Sequence, residues 1–273
     1  MAVNDFHVQI ATAYPPLLEV PSRKGLTYRA LIETDEGRKR AFLKLLSVED
    51  IAREVLCATL ARKLHLPIRP CYYVEVDPSL VCKNKFLNSD RVAFGLEEDV
   101  YPAFRGNSTQ LEDEVLKWEN ALQCAIFDEW IFNRDRNAGN LVYVENGVFW
   151  LIDHDEALPN YASPSSSCGS VLLHKLAQDQ QELHRHRLKQ LALRFVQQIE
   201  EIDMAEVIEL VRSEVLPPSR VYYQRYINFL TDRIPYLPAI ITEGLGIKQR
   251  EIRFDNVKPL LSKKTTKVDE SEK

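Results

Sequence analysis

The chain has 273 residues, 45% of them hydrophobic, and a formal charge of −5 from 35 basic and 40 acidic residues. That length and apolar share suffice for one large core or two smaller ones and exclude a wholly disordered chain, while the acidic balance argues against a general polyanion binder, so no nucleic-acid partner is expected. The start MAVNDFHVQIATAYPP lacks the basic head and continuous apolar segment of a signal peptide, no run is long enough for a transmembrane segment, and the scattered Cys57, Cys71, Cys82, Cys124 and Cys168 suit reduced thiols, so a cytoplasmic protein is expected.

In chain order, a first strand candidate is followed by the loop PSRKGLT and then by TYRALIET, a turn at Asp35-Glu36-Gly37, and RAFLKLLS, which together predict a hairpin. Ser47 with Asp50 three residues on has capping-box spacing, and Ile51, Val55, Ala58 and Leu60 carry a helix until Leu66-Pro67 stops it. CYYVEV and RVAFGL are two further strands. The first hundred residues thus predict a small sheet with one helix, and the pattern changes after Pro102. Thr109 with Glu112 repeats the capping-box spacing, and Val115, Trp118, Leu122, Ala125 and Ile126 recur at helical intervals. From Val171 to about Leu237 three or four amphipathic helices are expected, with a break at Pro217-Pro218. The fold class is therefore α+β, divided at 1–100 and 101–261, with a polar tail at 262–273 expected to be disordered.

Between these helices lies FNRDRNAGNLVYVENGVFWLIDHDEA, residues 132–157. Its apolar runs Leu141–Val144 and Val148–Ile152 predict paired strands, and Asn146-Gly147 is a strong signal for a two-residue type I′ loop. That loop would set Asn140 directly opposite Asp153, on one face of the hairpin, with Cβ atoms about 4.5–5.5 Å apart. Two such oxygen donors suit Mg²⁺, which keeps several waters and takes few protein ligands. Asp135, five residues before Asn140, is placed to receive a proton from a substrate hydroxyl. The gap Asp-x-x-x-x-Asn followed by a strand pair and an Asp is that of a protein-kinase catalytic loop and its metal-binding acid, although Asn133 stands where that loop has histidine. Taken singly, Asp and Asn at loop edges more often cap turns; here three features coincide.

A phosphoryl-transfer site also needs a cation for the nucleotide phosphates. Lys44 lies inside AFLKLL, and Glu54 on the next helix could neutralise it; alone, Lys44 is equally an exposed lysine on an edge strand. In PSRKGLT, Ser22, Lys24 and Gly25 either cover phosphates or form a surface turn. His174, His184 and His186 lack metal-ligand spacing and belong to a solvated face.

The segment FDEWIFNRDRNAGNLVYVENGVFWLIDHDEA, with REVLCATLARKLHLPI before it, resembles the HipA-like kinases and, more distantly, the type II phosphatidylinositol kinases. The resemblance implies a bilobal protein-kinase-like fold, with a small antiparallel sheet and one helix in the first lobe and a helical second lobe carrying an inserted hairpin. It implies ATP and Mg²⁺ as cofactors and a protein serine or threonine hydroxyl as acceptor. It gives Asp135 as the catalytic aspartate, Asn140 and Asp153 as metal ligands, and Lys44 with Glu54 as the phosphate-binding pair. Adenine contacts are expected after RVAFGL, around Leu96 to Val100. Asp155 stands where protein kinases have glycine and is more like the aminoglycoside and choline phosphotransferases. A small-molecule or lipid acceptor therefore stays open, as does a pseudokinase that binds nucleotide and regulates a partner. The oligomeric state is not legible.

Overall fold

A computed structural model describes residues 7–21, 26–81, 91–98, 108–144 and 147–247. Ser22, Lys24 and Gly25, the pair Asp99-Val100 of the expected adenine segment, Cys82, Asn146 and the tail 262–273 lie outside the described residues.

Five strands, β1 (Gln9–Val20), β2 (Leu26–Thr34), β3 (Gly37–Leu45), β4 (Cys71–Glu75) and β5 (Val92–Glu97), close into a barrel in the order β1-β2-β3-β5-β4. The β2–β3 hairpin turns at the predicted place. Gly37 supplies a φ of +106°, and Thr34 Oγ1 donates to the Gly37 carbonyl at 2.8 Å. The expectation of a small antiparallel sheet is corrected in one respect: β1 runs parallel to β4, from Gln9 beside Tyr72 to Thr12 beside Glu75. Closure gives backbone partners to what would otherwise be two exposed sheet edges. Alternation along the strands sends Tyr28, Ala30, Ile32, Ala41, Leu43 and Leu45 inward.

Helix α1 (Val48–Lys63) follows the barrel hairpin, capped as the sequence predicts: Asp50 N donates to Ser47 Oγ at 3.2 Å. Every residue from Ile51 to Ala61 is buried, the condition of a helix covered on all sides. One side meets β4 and β5; the other meets the C-terminal helices, and the α1 side chains belong to their core rather than to the barrel interior.

The rest is mainly helical: α2 (Ser108–Lys117), α3 (Ala121–Trp130), α4 (Val171–Ala177), α5 (Glu182–Glu200), α6 (Met204–Leu210), α7 (Arg220–Arg233) and α8 (Leu237–Gly244). The continuous helical period expected from Val115 to Ile126 is broken at residues 118–120, and Trp118 turns into the core at the break. Between α3 and α4 the short strands β6 (Leu141–Tyr143) and β7 (Phe149–Leu151) form the inserted hairpin. The fold is mixed α+β. Among the described residues no helix is long and apolar enough to cross a membrane.

Candidate phosphoryl-transfer site

The alternation that buries Ala41, Leu43 and Leu45 inside the barrel places Lys44 on its outer face, toward α1. Since β3 is flanked by β2 and β5, Lys44 is not on an edge strand. Its ammonium donates to Glu54 Oε1 and, at 3.0 Å, to Asp153 Oδ1. Burial by itself would push the Lys44 pKa down; the Glu54 and Asp153 carboxylates outweigh it and hold the charge on. Glu54 is likewise buried, yet Lys44 and His154 pull its pKa well below the usual carboxylate range. Glu54 Oε2 also accepts the His154 backbone N–H at 3.0 Å. One glutamate on α1 thus joins the barrel lysine to the segment after β7.

That segment leaves the strand abruptly. Asp153 has a φ of +62°, a left-handed conformation uncommon for non-glycine residues but tolerated by Asp better than by most. Here the Lys44 ion pair holds the side chain, and the backbone N–H of the next residue is held by Glu54. Beside it Asp155 is pushed up to about 7, first by burial and then by the neighbouring Asp153 carboxylate. The Asp155 carbonyl accepts from Arg53 Nη1 of α1 at 2.7 Å.

The second cluster lies in the loop between α3 and β6. Asp135 is half-buried, and its carboxylate accepts from the side-chain amides of Asn137, at 3.2 Å, and Asn140, at 3.1 Å. With the Asn140 side-chain nitrogen committed to Asp135, the side-chain Oδ1 is the atom a hard cation would take. Beneath them Arg136 and Asp128 form an ion pair with almost no solvent contact. Arg136 Nη1 donates to the Asn140 carbonyl at 2.8 Å and to the Ile152 carbonyl at 2.9 Å, so one guanidinium ties together the open ends of both hairpin strands. Asn133, in the place of the kinase histidine, donates to Asp128 Oδ1 at 3.1 Å and accepts the Asp135 backbone N–H at 3.2 Å.

The direct apposition of Asn140 and Asp153 is not found. The hairpin pairs Leu141 with Leu151 and Tyr143 with Phe149, which sets Asn140 across from Ile152. Val144 N still reaches the Val148 carbonyl at 3.0 Å, leaving three residues in the reversal rather than two, closed by Gly147 at a φ of +77°. A three-residue loop ending in a left-handed residue is the next commonest hairpin form, and it shifts the register by one. Asn140 therefore groups with Asp135, and Asp153 groups with Lys44 and Glu54. Arg136 joins the two groups through backbone carbonyls.

Sequence reasoning did not single out Asp128, Glu129, Arg136, His154 or Arg233, all buried. Glu129 accepts from Ser167 Oγ, Cys168 N and Ser170 N, each at 2.9 Å, and Arg233 donates to the Ser163 and Pro164 carbonyls at 3.2 and 2.8 Å. Together they fix the loop leading from Asp155 to α4. A signal for them existed: Asp128-Glu129 interrupts an otherwise apolar run from Ala125 to Phe132, and adjacent charges inside a buried helix need partners.

The family model described as HipA-like kinase matches residues 41–209, a stretch that contains Lys44, Glu54, Asp135, Asn140 and Asp153. No curated protein matches the sequence. Among solved structures, the chain is similar to a Helicobacter pylori proinflammatory kinase, CtkA, at 10% identity and a TM-score of 0.49, covering 87% of this chain and 97% of that one.

Proposed function

Because this chain belongs to the HipA-like kinase family, and is a kinase on that ground, we propose that it transfers the γ-phosphoryl group of ATP to a protein serine or threonine hydroxyl, with the barrel as nucleotide lobe and the helical half as catalytic lobe. The observation that carries this reading is the bonding of Lys44 both to Glu54 and to Asp153, 109 residues away. A lysine so held is charged and confined, as a phosphate ligand must be.

The donor chemistry around Asp153 fits Mg²⁺. Asp153 and Asp155 crowd two carboxyl groups together, a proton is retained on Asp155 up to about pH 7, and a divalent cation binds in competition with such a proton. Asp153, with the side-chain Oδ1 of Asn140 approaching from the separate Asp135 cluster, would hold the ion, which when bound neutralises charge on the β- and γ-phosphates. Lys44 would grip the phosphates and Glu54 would keep its ammonium in place. Asp135 would accept the acceptor hydroxyl's proton, its carboxylate aimed by the Asn137 and Asn140 amides.

Asp155 supports a second reading, in which the acceptor is a small molecule or lipid, since an additional acid beside the metal-binding one is the feature shared with small-molecule phosphotransferases. γ-labelled ATP incubated with a cell lysate separates the two: label in macromolecular bands supports the protein acceptor, and label confined to small solutes supports the other. Asp135→Asn should leave nucleotide binding intact while slowing transfer by roughly 10² to 10⁴. Unchanged turnover in that variant removes Asp135 from the role of base, and absence of any transfer by the wild-type chain would favour a nucleotide-binding pseudokinase.

A further inference from the structure

Two consecutive residues of α1 grip the segment that carries Asp153. Glu54 accepts the His154 backbone N–H at 3.0 Å, and Arg53 Nη1 donates to the Asp155 carbonyl at 2.7 Å. One side chain is an acceptor and the other a donor, matched to the N–H and the C=O they meet. The strand pairing of β7 ends at Leu151, so the backbone from Asp153 to Asp155 lies beyond the sheet ladder, where these contacts reach it from α1.

Arg53 is itself held. It is buried, with Nη1 2.6 Å from Asp50 Oδ1 and Nη2 3.4 Å from Glu49 Oε1, so its charge is compensated in the interior. The same Glu49 oxygen accepts from Arg225 Nη2 at 2.7 Å and from the Tyr226 hydroxyl at 3.1 Å, both on α7. The Tyr226 ring also meets both guanidiniums, its centre 5.8 Å from Arg53 Cζ and 4.9 Å from Arg225 Cζ. A continuous set of contacts thus runs from α7 through Glu49 and Arg53 to the Asp155 carbonyl.

We infer that Arg53 is a positioning residue of the nucleotide–metal site: braced by Asp50 and, through Glu49, by α7, it fixes the backbone on which the Asp153 carboxylate is presented to a divalent cation. Outer contacts of this kind orient a ligand without touching the ion, and losing one costs about 10–100-fold in metal affinity or activity. The inference rests on the reading of Asp153 as a metal ligand and deepens it. Because Arg53 acts on a carbonyl, replacing it leaves Lys44, Glu54, Asn140 and Asp153 all in the chain.

The test measures ATP binding to the full chain by calorimetry, once with Mg²⁺ and once with EDTA, and needs no turnover. Its readout is the gain in ATP affinity that Mg²⁺ brings. Arg53→Met, unbranched and without donors, should cut that gain about tenfold while leaving Mg²⁺-free ATP binding within about twofold of wild type. Arg53→Lys, which keeps a donor and the charge beside Asp50, should lose less of it, and this variant carries the test if circular dichroism shows Arg53→Met unfolded. Glu49→Gln should reduce the gain by a smaller factor and add little to Arg53→Lys in the double variant. An undiminished gain in the Arg53 variants overturns the inference, as does an equal loss of ATP affinity with and without Mg²⁺, which a merely structural residue would give. Full additivity of Glu49→Gln and Arg53→Lys overturns the brace from α7. Absence of any Mg²⁺-dependent gain in the wild type is the distinct result that removes Asp153 as a metal ligand, and the inference with it.

Discussion

The barrel and the helical half differ in what they bury. The barrel interior is apolar and much of it small, built on Ala11, Ala13, Ala30, Ala41 and Ala93 around a few larger side chains. The helical half encloses Asp128, Glu129, Asn133, Arg136, His154 and Arg233. Isolated charges in such an interior would be prohibitive, and most of these form ion pairs or bond the loop carbonyls and N–H groups that flank the candidate site. The difference teaches that, among the described residues, the helical half uses its buried charges to fix loops, including those that carry Asp135, Asn140 and Asp153. The barrel supplies one charged member, Lys44, and supplies it from its outer face.

The sharpest way to break this comparison is Asp128→Ala. It leaves the Arg136 guanidinium buried without its carboxylate and removes the anchor of Asn133. A loss of about 3–5 kcal/mol is expected in urea unfolding. A cost below about 1 kcal/mol would mean that water or a rearranged partner serves Arg136 equally well, and the helical half would then not depend on paired buried charge.

The barrel should be sensitive to volume instead. Gly95 on β5 sits so close to β4 that an added Cβ would lie 2.5 Å from Val74 Cγ2 and 3.4 Å from Tyr72 Cβ. Gly95→Ala is expected to cost about 1–3 kcal/mol by overpacking. In a Val74→Ala background, where the clashing methyl is gone, most of that added cost should vanish; full additivity of the two changes would show that the barrel is not packed against Gly95 as described.

These two regions also differ in how far the sequence disclosed them. What depends on neighbours in the chain was legible: the Ser47 cap with Asp50, the turn before Gly37, and the five-residue step from Asp135 to Asn140 that lets one amide reach one carboxylate. The parallel contact of β1 with β4 was not, because nothing local encodes a partner more than fifty residues away. The hairpin register failed for a subtler reason. Asn-Gly suits a two-residue loop, but a glycine with positive φ also closes a three-residue one, and only the pairing of Tyr143 with Phe149 distinguishes them. Lys44 with Glu54 was readable as a possibility; that Lys44 also reaches Asp153 required the fold.

A smaller effect follows from His154, which is fully buried and packs edge-on against Phe127 with ring centroids 6.2 Å apart, its Nδ1 standing 3.5 Å from Glu54 Oε2, too long and poorly aligned for a well-formed hydrogen bond. Burial lowers its pKa from 6.5 in spite of Glu54 nearby, and Arg136 adds to the lowering. In the window from 6.5 down to its depressed folded value, the unfolded chain therefore binds more protons at this position than the folded one. By linkage the His154 contribution is constant above that window and declines as the pH falls through it. His154→Phe keeps an aromatic ring against Phe127 and removes the titration. Unfolding free energies measured from pH 8 to pH 5 should therefore fall less steeply for the variant than for the wild type, with the two curves diverging only below about pH 6.5. Parallel curves would mean that His154 keeps an ordinary pKa when folded, and that the polar interior of the helical half is more hydrated than its burial implies.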